Sequence, residues 1–294
     1  MNTLLLTGAT GFLGSHLLKT LIAQTTDEII IVKRSFSNIQ RIKDELQNPR
    51  VHSYDIDKIQ LEALPWKKID IIIHCATEYG RKNNSCSTVL QTNLLFPIQL
   101  LELAIKNGVR AFINTDSYFN KNHLSYVYLL NYSLSKRSLN LWLKYFSKKI
   151  AIINLRLEHI YGPYDDPNKF VEYMVENIAI HPQKELDISP GEQKRDFVYV
   201  EDVCKSYLQA IQLARTKHFH LKLLEIGTGT QTSIRTFVET IKQLSHSPTK
   251  LNFGAIPYRQ NEIMSSQAKN PCCIPCTTFR AGIQKILACY QKSK

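Results

Sequence analysis

Tyr132 and Lys136 stand four residues apart in a stretch whose apolar spacing predicts a helix over 131–146. Four residues is about one helical turn, so the two side chains share a face. A free phenol titrates near ~10. An ammonium beside it stabilises the phenolate and lowers that value. The phenol then serves as a general acid near neutral pH. The pair is common by chance, and its weight comes from what precedes it. Gly8-Ala9-Thr10-Gly11-Phe12-Leu13-Gly14 sets glycines at three-residue spacing between an apolar run and an amphipathic stretch. Gly8 permits a tight turn, Gly11 lets the backbone approach a pyrophosphate at a helix N-terminus, and Gly14 allows close helix-to-strand packing. Thr10, Phe12 and Leu13 complete the expected dinucleotide loop.

The second apolar run ends Val32-Lys33-Arg34-Ser35, without an acid. An acid there would take the ribose 2′-hydroxyl of NAD. Lys33 and Arg34 instead suit a 2′-phosphate, which favours NADP (NADPH) and leaves NAD as the alternative. Asp55 and Ile56, after the third strand, are expected to border the adenine. Ala76 and Thr77, after the fourth, line the middle of the cofactor. A further hydroxyl must hold a substrate oxygen. Thr115, at the end of a strand predicted over 111–114, is favoured from sheet-edge geometry, with Ser117 as its competitor. Asn93 is either an N-cap or a member of the site.

These groups need a scaffold that gathers loops at one edge. Apolar runs at 3–6, 28–32, 50–55, 69–74, 111–114 and 150–156 alternate with amphipathic stretches at 12–23, 93–107 and 131–146. That alternation predicts an α/β fold, a Rossmann-type doubly wound parallel sheet covered on both faces. After Gly162-Pro163 the composition turns polar, with a helix over 169–179. Residues 197–213 and 223–227 return to the strand-and-helix style. A helix over 234–244 follows, and then irregular sequence. The expected division is a dinucleotide-binding domain over 1–163, rejoined by 197–228, and a smaller substrate-binding lobe from 164–196 and 229–294.

Composition narrows the classes. The net charge of +12 comes from dispersed Lys and Arg, which fits an anionic small substrate better than nucleic acid. No apolar run is read as spanning a bilayer, and Leu4–Leu6 lacks the flanks of a signal peptide, so the expectation is a cytoplasmic protein without a membrane partner. Seven cysteines, an odd number, argue for reduced thiols. Cys272, Cys273 and Cys276 lack a second ligand pair at zinc-site spacing, so no metal is expected. The helices over 93–107 and 131–146 carry apolar residues on more than one face, including Phe96, Trp142 and Tyr145, and predict a homodimer.

With these motifs in order, the chain resembles the extended short-chain dehydrogenase/reductase family, also known as the NAD-dependent epimerase/dehydratase family. The resemblance rests on Thr7–Gly14, His74–Thr77, Asn93, Tyr132/Lys136, Arg156–Pro163 and Arg195–Val203. Within it, Ala76–Gly80, Asn114–Ser117, Arg156–Gly162, Gly191–Phe197, Phe253–Ile256 and Asn261–Met264 resemble the CDP-abequose and CDP-paratose synthase type, which reduces the 4-keto group of a CDP-linked dideoxysugar for O-antigen synthesis. The dehydratases of the family carry Thr-Asp-Glu where this chain has Thr115-Asp116-Ser117. The resemblance therefore implies a 4-ketoreductase using dissociable NADPH, acting on a nucleotide-diphosphate sugar. Arg195 and Arg259 are the implied diphosphate cations, Arg259 alternatively forming a surface ion pair with Glu262. Asn168 and Lys169 are implied contacts of the sugar nucleotide, and Tyr79, Arg81 and Ser117 face the sugar. Glu158 and His159 shape its pocket, with His159 also at the cofactor, or His159 is a satisfied buried histidine. A 4-epimerase and a non-catalytic dinucleotide-binding regulatory protein are the competing classes.

Overall fold

A computed structural model describes residues 2–81, 84–121, 126–272 and 277–291. Seven strands form one sheet: β1 (Thr3–Thr7), β2 (Glu28–Lys33), β3 (Val51–Asp55), β4 (Ile69–His74), β5 (Ala111–Ser117), β6 (Ala151–Leu157) and, late in the chain, Leu221–Ile226. The spatial order is Leu221–Ile226, β6, β5, β4, β1, β2, β3. Pairings of β1 with β2 and β4, of β2 with β3, and of β4 with β5 are parallel. Every residue of β1 is buried, as are Ile29–Val32 and Ile71–His74. Strands covered on both faces lose the alternation of apolar and polar residues, which is why these runs read as continuous.

Helices α1 (Phe12–Gln24), α2 (Cys86–Leu90), α3 (Phe96–Lys106) and α4 (Leu130–Phe146) supply the crossovers. The core beneath α3 and α4 joins Leu100, Leu101, Ala104, Leu139 and Leu143 to Ile72, Phe112 and Ile152. The helix expected over 93–107 starts earlier. Ser85 caps α2, its hydroxyl accepting from the Thr88 N–H at 3.2 Å, and a π-helical segment, Gln91–Leu95, links α2 to α3. The whole span Cys86–Lys106 is, by length and composition alone, long and apolar enough to cross a membrane. Here its Val89, Leu100, Leu101 and Ala104 are buried in the protein.

The strand order runs outward in opposite directions from β1 and β4. Their carboxyl ends therefore flank the point where the winding reverses, the place at which open α/β sheets bind ligands.

By internal packing the chain forms two compact units. Among the described residues, one holds 2–121, 129–156 and 204–224, and the other 126–128, 157–203 and 225–291. The unit boundary falls at Arg156 rather than Pro163. The reason is local: β7 (His159–Tyr161) pairs in parallel with Phe197–Tyr199 as a separate two-stranded sheet. In the second unit follow α5 (Phe170–Val175), β8 (Glu185–Ile188), β9 (Lys194–Arg195) and β10 (Phe197–Tyr199). α6 (Val200–Thr216) and β11 (Leu221–Ile226) lead to β12 (Thr232–Ser233), α7 (Ile234–Ser245), β13 (Lys250–Phe253) and α8 (Phe279–Gln291). The helix expected over 169–179 is α5 continued by a π segment, Glu176–Ile180. The second core stacks Phe197 on Phe237, ring centres 4.0 Å apart, and closes over Tyr161, Ile241, Ile283 and Ile286.

α8 corrects the expectation of an irregular C-terminal end. Its Gly282, Ile283, Ile286 and Leu287 are buried. Gly282 lies so close to the Tyr161 ring that a Cβ there would fall 2.1 Å from the phenol oxygen. Cys273 and Cys276 lie outside the described residues. Among the described residues no cluster of three or more His, Cys, Asp or Glu could hold a metal.

Candidate active site

The turn from β1 into α1 forms a cradle. Gly8 has φ +73°, and a Cβ on it would fall 2.6 Å from the Ala76 nitrogen. The Gly11 N–H donates to the Gly8 carbonyl at 3.0 Å, and a Cβ on Gly14 would fall 2.1 Å from that same oxygen. Gly11 caps α1 without a side chain, so the first turn keeps N–H groups available to an anion. Thr7 ties the two strand ends together. Its hydroxyl lies 2.9 Å from His74 Nδ1 and accepts from the Ala76 N–H at 3.1 Å. Burial, with the Lys136 charge nearby, pushes His74 down to about 3 and keeps it neutral. These features fit a dinucleotide pyrophosphate.

Past β2, the two cations expected to share a 2′-phosphate differ. Lys33 is ion-paired with Asp55. Arg34 is exposed, its guanidinium 5.0 Å from the Phe36 ring centre. Ser35 is fixed to Asp57 through its N–H at 2.7 Å and its hydroxyl at 2.6 Å, which lowers the Asp57 carboxyl below its usual value. Ile56 donates its N–H to the Lys33 carbonyl at 2.9 Å. Asp55 thus already neutralises Lys33.

Tyr132 and Lys136 share one buried face of α4, at 4% and 3% exposure. The Lys136 ammonium lies 5.9 Å from the Tyr132 ring centre and donates to the Thr115 carbonyl at 2.9 Å. The Tyr79 ring lies tilted against Tyr132 at 5.0 Å, and Phe119 meets it edge-on at 6.0 Å. The expectation of a phenol made acidic by Lys136 is corrected here. Burial, then the neighbouring Tyr79, raise the Tyr132 phenol well above its ordinary value, and a hydrogen bond with the Ser117 hydroxyl opposes them. Burial likewise lowers Lys136, while Asp116 and Cys75 act in the other direction.

The two candidate hydroxyls, Thr115 and Ser117, both stand on β5. The Thr115 hydroxyl lies 2.6 Å from the Tyr207 hydroxyl and 3.4 Å from the Cys75 sulfur, while the Ser117 hydroxyl accepts from the Phe119 N–H at 3.3 Å and acts to lower the nearby Tyr132 phenol. β5 reaches Ser117 because Asp116 is anchored on its way. The Asp116 carboxylate accepts from Asn120, Asn140 and Asn154, and from Arg156 Nε at 3.3 Å. The Asn114 amide extends this ladder to Asn154 at 2.7 Å.

Asn93 is neither exposed nor an N-cap. It is fully buried inside the π segment, a distortion that often marks functional sites. Its carbonyl oxygen accepts from the Glu78 N–H at 2.8 Å and the Thr77 hydroxyl at 3.2 Å. Its amide donates to the Glu78 carbonyl at 2.8 Å and to Ser135 at 3.0 Å. One side chain thus fastens the loop after β4 to the helix bearing Tyr132.

The remaining candidates belong to the second unit. Glu158 is buried and accepts from the Ser266 hydroxyl at 2.7 Å. His159 lies edge-on to Phe197 at 5.7 Å, and burial, with the Arg195 charge nearby, pushes it down to about 3. The Asn168 amide turns back to Asp166 at 2.9 Å, and Lys169 pairs with Asp165 at 2.9 Å. Arg195 pairs with Glu262 at 2.8 Å, both side chains buried. Glu262 is therefore not the partner of Arg259. Arg259 lies over the Tyr128 ring, 3.9 Å from its centre, and donates to Tyr126 at 3.4 Å.

Residues 4–223 match the model of the NAD dependent epimerase/dehydratase family. The chain belongs to this family. It is 35% identical over 269 residues to a CDP-abequose synthase of Salmonella muenchen, covering 90% of this chain and 88% of that one. Its fold is similar to a UDP-glucuronic acid 4-epimerase mutant of Bacillus cereus crystallised with NAD and a fluorinated substrate analogue. The TM-score is 0.83 at 21% identity, over 99% of this chain and 100% of that one. It is similar as well to a UDP-N-acetylglucosamine 4-epimerase of Methanobrevibacter ruminantium, with TM-score 0.85, 19% identity, and coverage of 100% and 99%.

In this epimerase/dehydratase chain, the first unit brings together Gly8, Gly11, Gly14, Ala76, Thr77, Tyr79, Ser117, Tyr132 and Lys136 around the carboxyl ends of β1, β4 and β5. Reading the sequence missed Thr7, Ser135 and the Asp116 ladder. Ser135 sits inside Tyr132-Ser133-Leu134-Ser135-Lys136, one residue before the lysine, and its hydroxyl also donates to the Tyr132 carbonyl at 2.7 Å. The Asn residues of the ladder carry no short-range signal, since they come from separate strands and helices.

Proposed function

We propose that this chain is an NADPH-dependent reductase of the 4-keto group of a nucleotide-linked deoxysugar, of the CDP-4-keto-3,6-dideoxyglucose type, serving surface polysaccharide or O-antigen synthesis in the cytoplasm. The observation that carries the reading is the buried Tyr132 and Lys136 of α4 beside the end of β5, where Ser117 offers a hydroxyl and not a carboxylate. A hydroxyl there polarises a carbonyl but cannot drive elimination of water as a carboxylate would. The 35% identity to a CDP-abequose synthase supports the choice of sugar.

A reduced nicotinamide cofactor bound at the glycine turn supplies the hydride. Charge then develops on the keto oxygen, and the chain's own groups meet it. Tyr132 gives its proton to that oxygen, and Ser117 hydrogen-bonds it. A phenol held protonated by burial is the right form for a donor, and the developing oxyanion is a strong enough base to take its proton. Lys136 keeps a positive charge beside the phenol as it ionises. Tyr79 and Phe119 keep water from the phenol. Arg34 takes the 2′-phosphate that distinguishes NADPH. Arg259, held flat on Tyr128, takes the substrate diphosphate through its remaining donors.

A 4-epimerase is the second reading, favoured by the likeness of fold to two 4-epimerases. The two differ in stoichiometry, because an epimerase returns its hydride and consumes no cofactor. NADPH oxidation against CDP-, dTDP-, UDP- and GDP-linked 4-keto sugars tests this. The expected result is one NADPH oxidised per alcohol formed, fastest with the CDP sugar. Conversion of a nucleotide sugar without net oxidation would establish the epimerase instead.

A further inference from the structure

Lysines of the first unit gather at one edge of the sheet. β4, β5, β6 and β11 are neighbours and run the same way. β4 and β5 pair in parallel, and Asn114 and Asp116 of β5 meet Asn154 and Arg156 of β6 in step. The Ile152 and Glu158 N–H groups donate to the His220 and Ile226 carbonyls, each at 2.9 Å. All four strands therefore begin at the edge opposite the glycine turn and Ser117. The chain enters β4 through Lys67 and Lys68, β5 after Lys106, β6 through Lys148 and Lys149, and β11 after Lys217. All six are exposed, and none pairs with a carboxylate among the described residues. The arginines here are already taken. Arg110 and Arg215 each pair with Asp70 at 3.0 Å, and Arg215 also pairs with Asp27 at 3.1 Å. Those pairs, and the His220 ring 3.2 Å from the Ser147 carbonyl, tie the loops into one surface. Among the described residues of α3 and these loops, Glu62 and Glu102 are the exposed carboxylates that oppose the lysines.

The proposed reaction does not account for this charge. β4 spans six residues and β5 seven, so at about 3.3 Å per residue the lysines lie roughly 20 Å from the carboxyl ends of the strands. Salt screens exposed charges beyond about 8 Å, so the lysines neither hold nor steer a ligand at the site. Helix dipoles favour a cation in the last turn, which accounts for Lys106 of α3. Lys67 and Lys68 follow no α-helix, and Lys148, Lys149 and Lys217 lie past the ends of α4 and α6.

We propose that this edge docks on the surface of a bilayer containing anionic phospholipids. Two observations select lipid over nucleic acid. The unpaired cations are lysines, point charges that suit a fluid array of headgroups, whereas the arginine forks that grip phosphates and bases in fixed geometry are occupied. An open cleft of about 350 Å³ also lies between Glu62–Lys68 and Asn107, its lining mostly the apolar surface of Leu64, Pro65 and Trp66 beside Lys67 and Lys68. An apolar lining next to cations suits an amphiphile. Attachment is peripheral and needs no inserted segment, since about four to eight basic residues suffice for an anionic leaflet. It replaces the expectation of no membrane partner, and it is independent of the proposed reduction. Docked this way, the carboxyl edge with the glycine turn and Tyr132 faces away from the lipid.

Co-sedimentation of the full chain with vesicles tests the inference, using phosphatidylcholine alone and phosphatidylcholine mixed equally with phosphatidylglycerol. Binding is expected to the mixed vesicles only, and to fall as salt rises. Lys67→Gln, Lys68→Gln, Lys148→Gln and Lys149→Gln together should weaken it on the order of 10²–10³-fold, about fivefold per lysine. The same four positions changed to Arg should bind as wild type, and Lys184, Lys242, Lys250 and Lys269 of the second unit changed to Gln should lower binding little. Failure to sediment with the mixed vesicles would overturn the inference, as would equal binding to phosphatidylcholine alone. Equal losses from the two Gln sets would mean that net charge, not this edge, is read, and a loss in the Arg set would mean damage to the fold. A DNA duplex bound more tightly than the mixed vesicles at the same salt would reassign the edge to nucleic acid.

Discussion

Ser117 and Thr115 lie two positions apart in β5, and their hydroxyls face different partners. Ser117 acts to lower the Tyr132 phenol, and Thr115 meets Tyr207 and Cys75. Ser117→Ala should lower kcat on the order of 10²-fold, as loss of one donor to a developing oxyanion does. Thr115→Val should leave kcat near wild type and cost about 1 kcal/mol in urea unfolding. The reverse pattern would return the role to Thr115. The sequence favours Thr115, because the strand predicted over 111–114 ends just before it, whereas β5 runs on to Ser117. A second residue-scale contrast concerns the cofactor. Arg34→Ala should weaken NADPH about 10–100-fold relative to NADH. Lys33→Ala should change that ratio little, because Asp55 holds Lys33. Fluorescence titration of both cofactors reads the ratio, and equal effects from the two variants would contradict the assignment. Two basic residues in a row are legible in sequence. Which of them is already paired depends on a carboxylate one strand away.

At the scale of elements, strands with continuous apolar runs and the glycine turn were legible, because their signals are local. The two π segments and α8 were not. A π turn differs from an α turn by one residue, which periodicity does not register, and the Pro- and Cys-rich stretch before α8 masked its apolar face. The joint between β1 and β4 was also hidden. It depends on Thr7 meeting a neutral His74 67 positions away. That joint has a pH signature. His74 is held to about 3 when folded and titrates near 6.5 when free. A depressed folded value means the unfolded chain binds the proton first, so its contribution is complete above pH ~6.5 and is lost on acidification. Each pH unit below that point should remove up to about 1.4 kcal/mol. His159, also depressed, acts in the same sense. Urea midpoints should therefore fall between pH 7 and pH 5. Flat midpoints would mean that these histidines charge in the folded state.

For the whole molecule, packing gives two compact units, divided after Arg156, just before β7 pairs with β10. Assembly follows from what the first unit leaves uncovered. Leu90 and Leu95 on one crossover, and Leu134, Leu141, Trp142 and Tyr145 on α4, are exposed, Leu141 at 64%. Isolated apolar residues are ordinary on a surface, but a set on adjacent helices suits burial against a second copy. Light scattering should report a homodimer at micromolar concentration, and Leu141→Glu with Trp142→Ala should yield a monomer that still binds NADPH. A monomeric wild type would contradict this.

The chemical step of the proposed mechanism is protonation of a sugar keto oxygen by Tyr132. It is tested most directly by turnover of Tyr132→Phe with the 4-keto nucleotide sugar that the wild type reduces, beside a measurement of NADPH affinity. The substitution keeps the ring that Tyr79 and Phe119 pack against and removes the proton donor. The expected result is a fall in kcat of about 10²–10⁴-fold with NADPH binding unchanged. Retention of most of the wild-type turnover would contradict the account, because the proton would then come from another group.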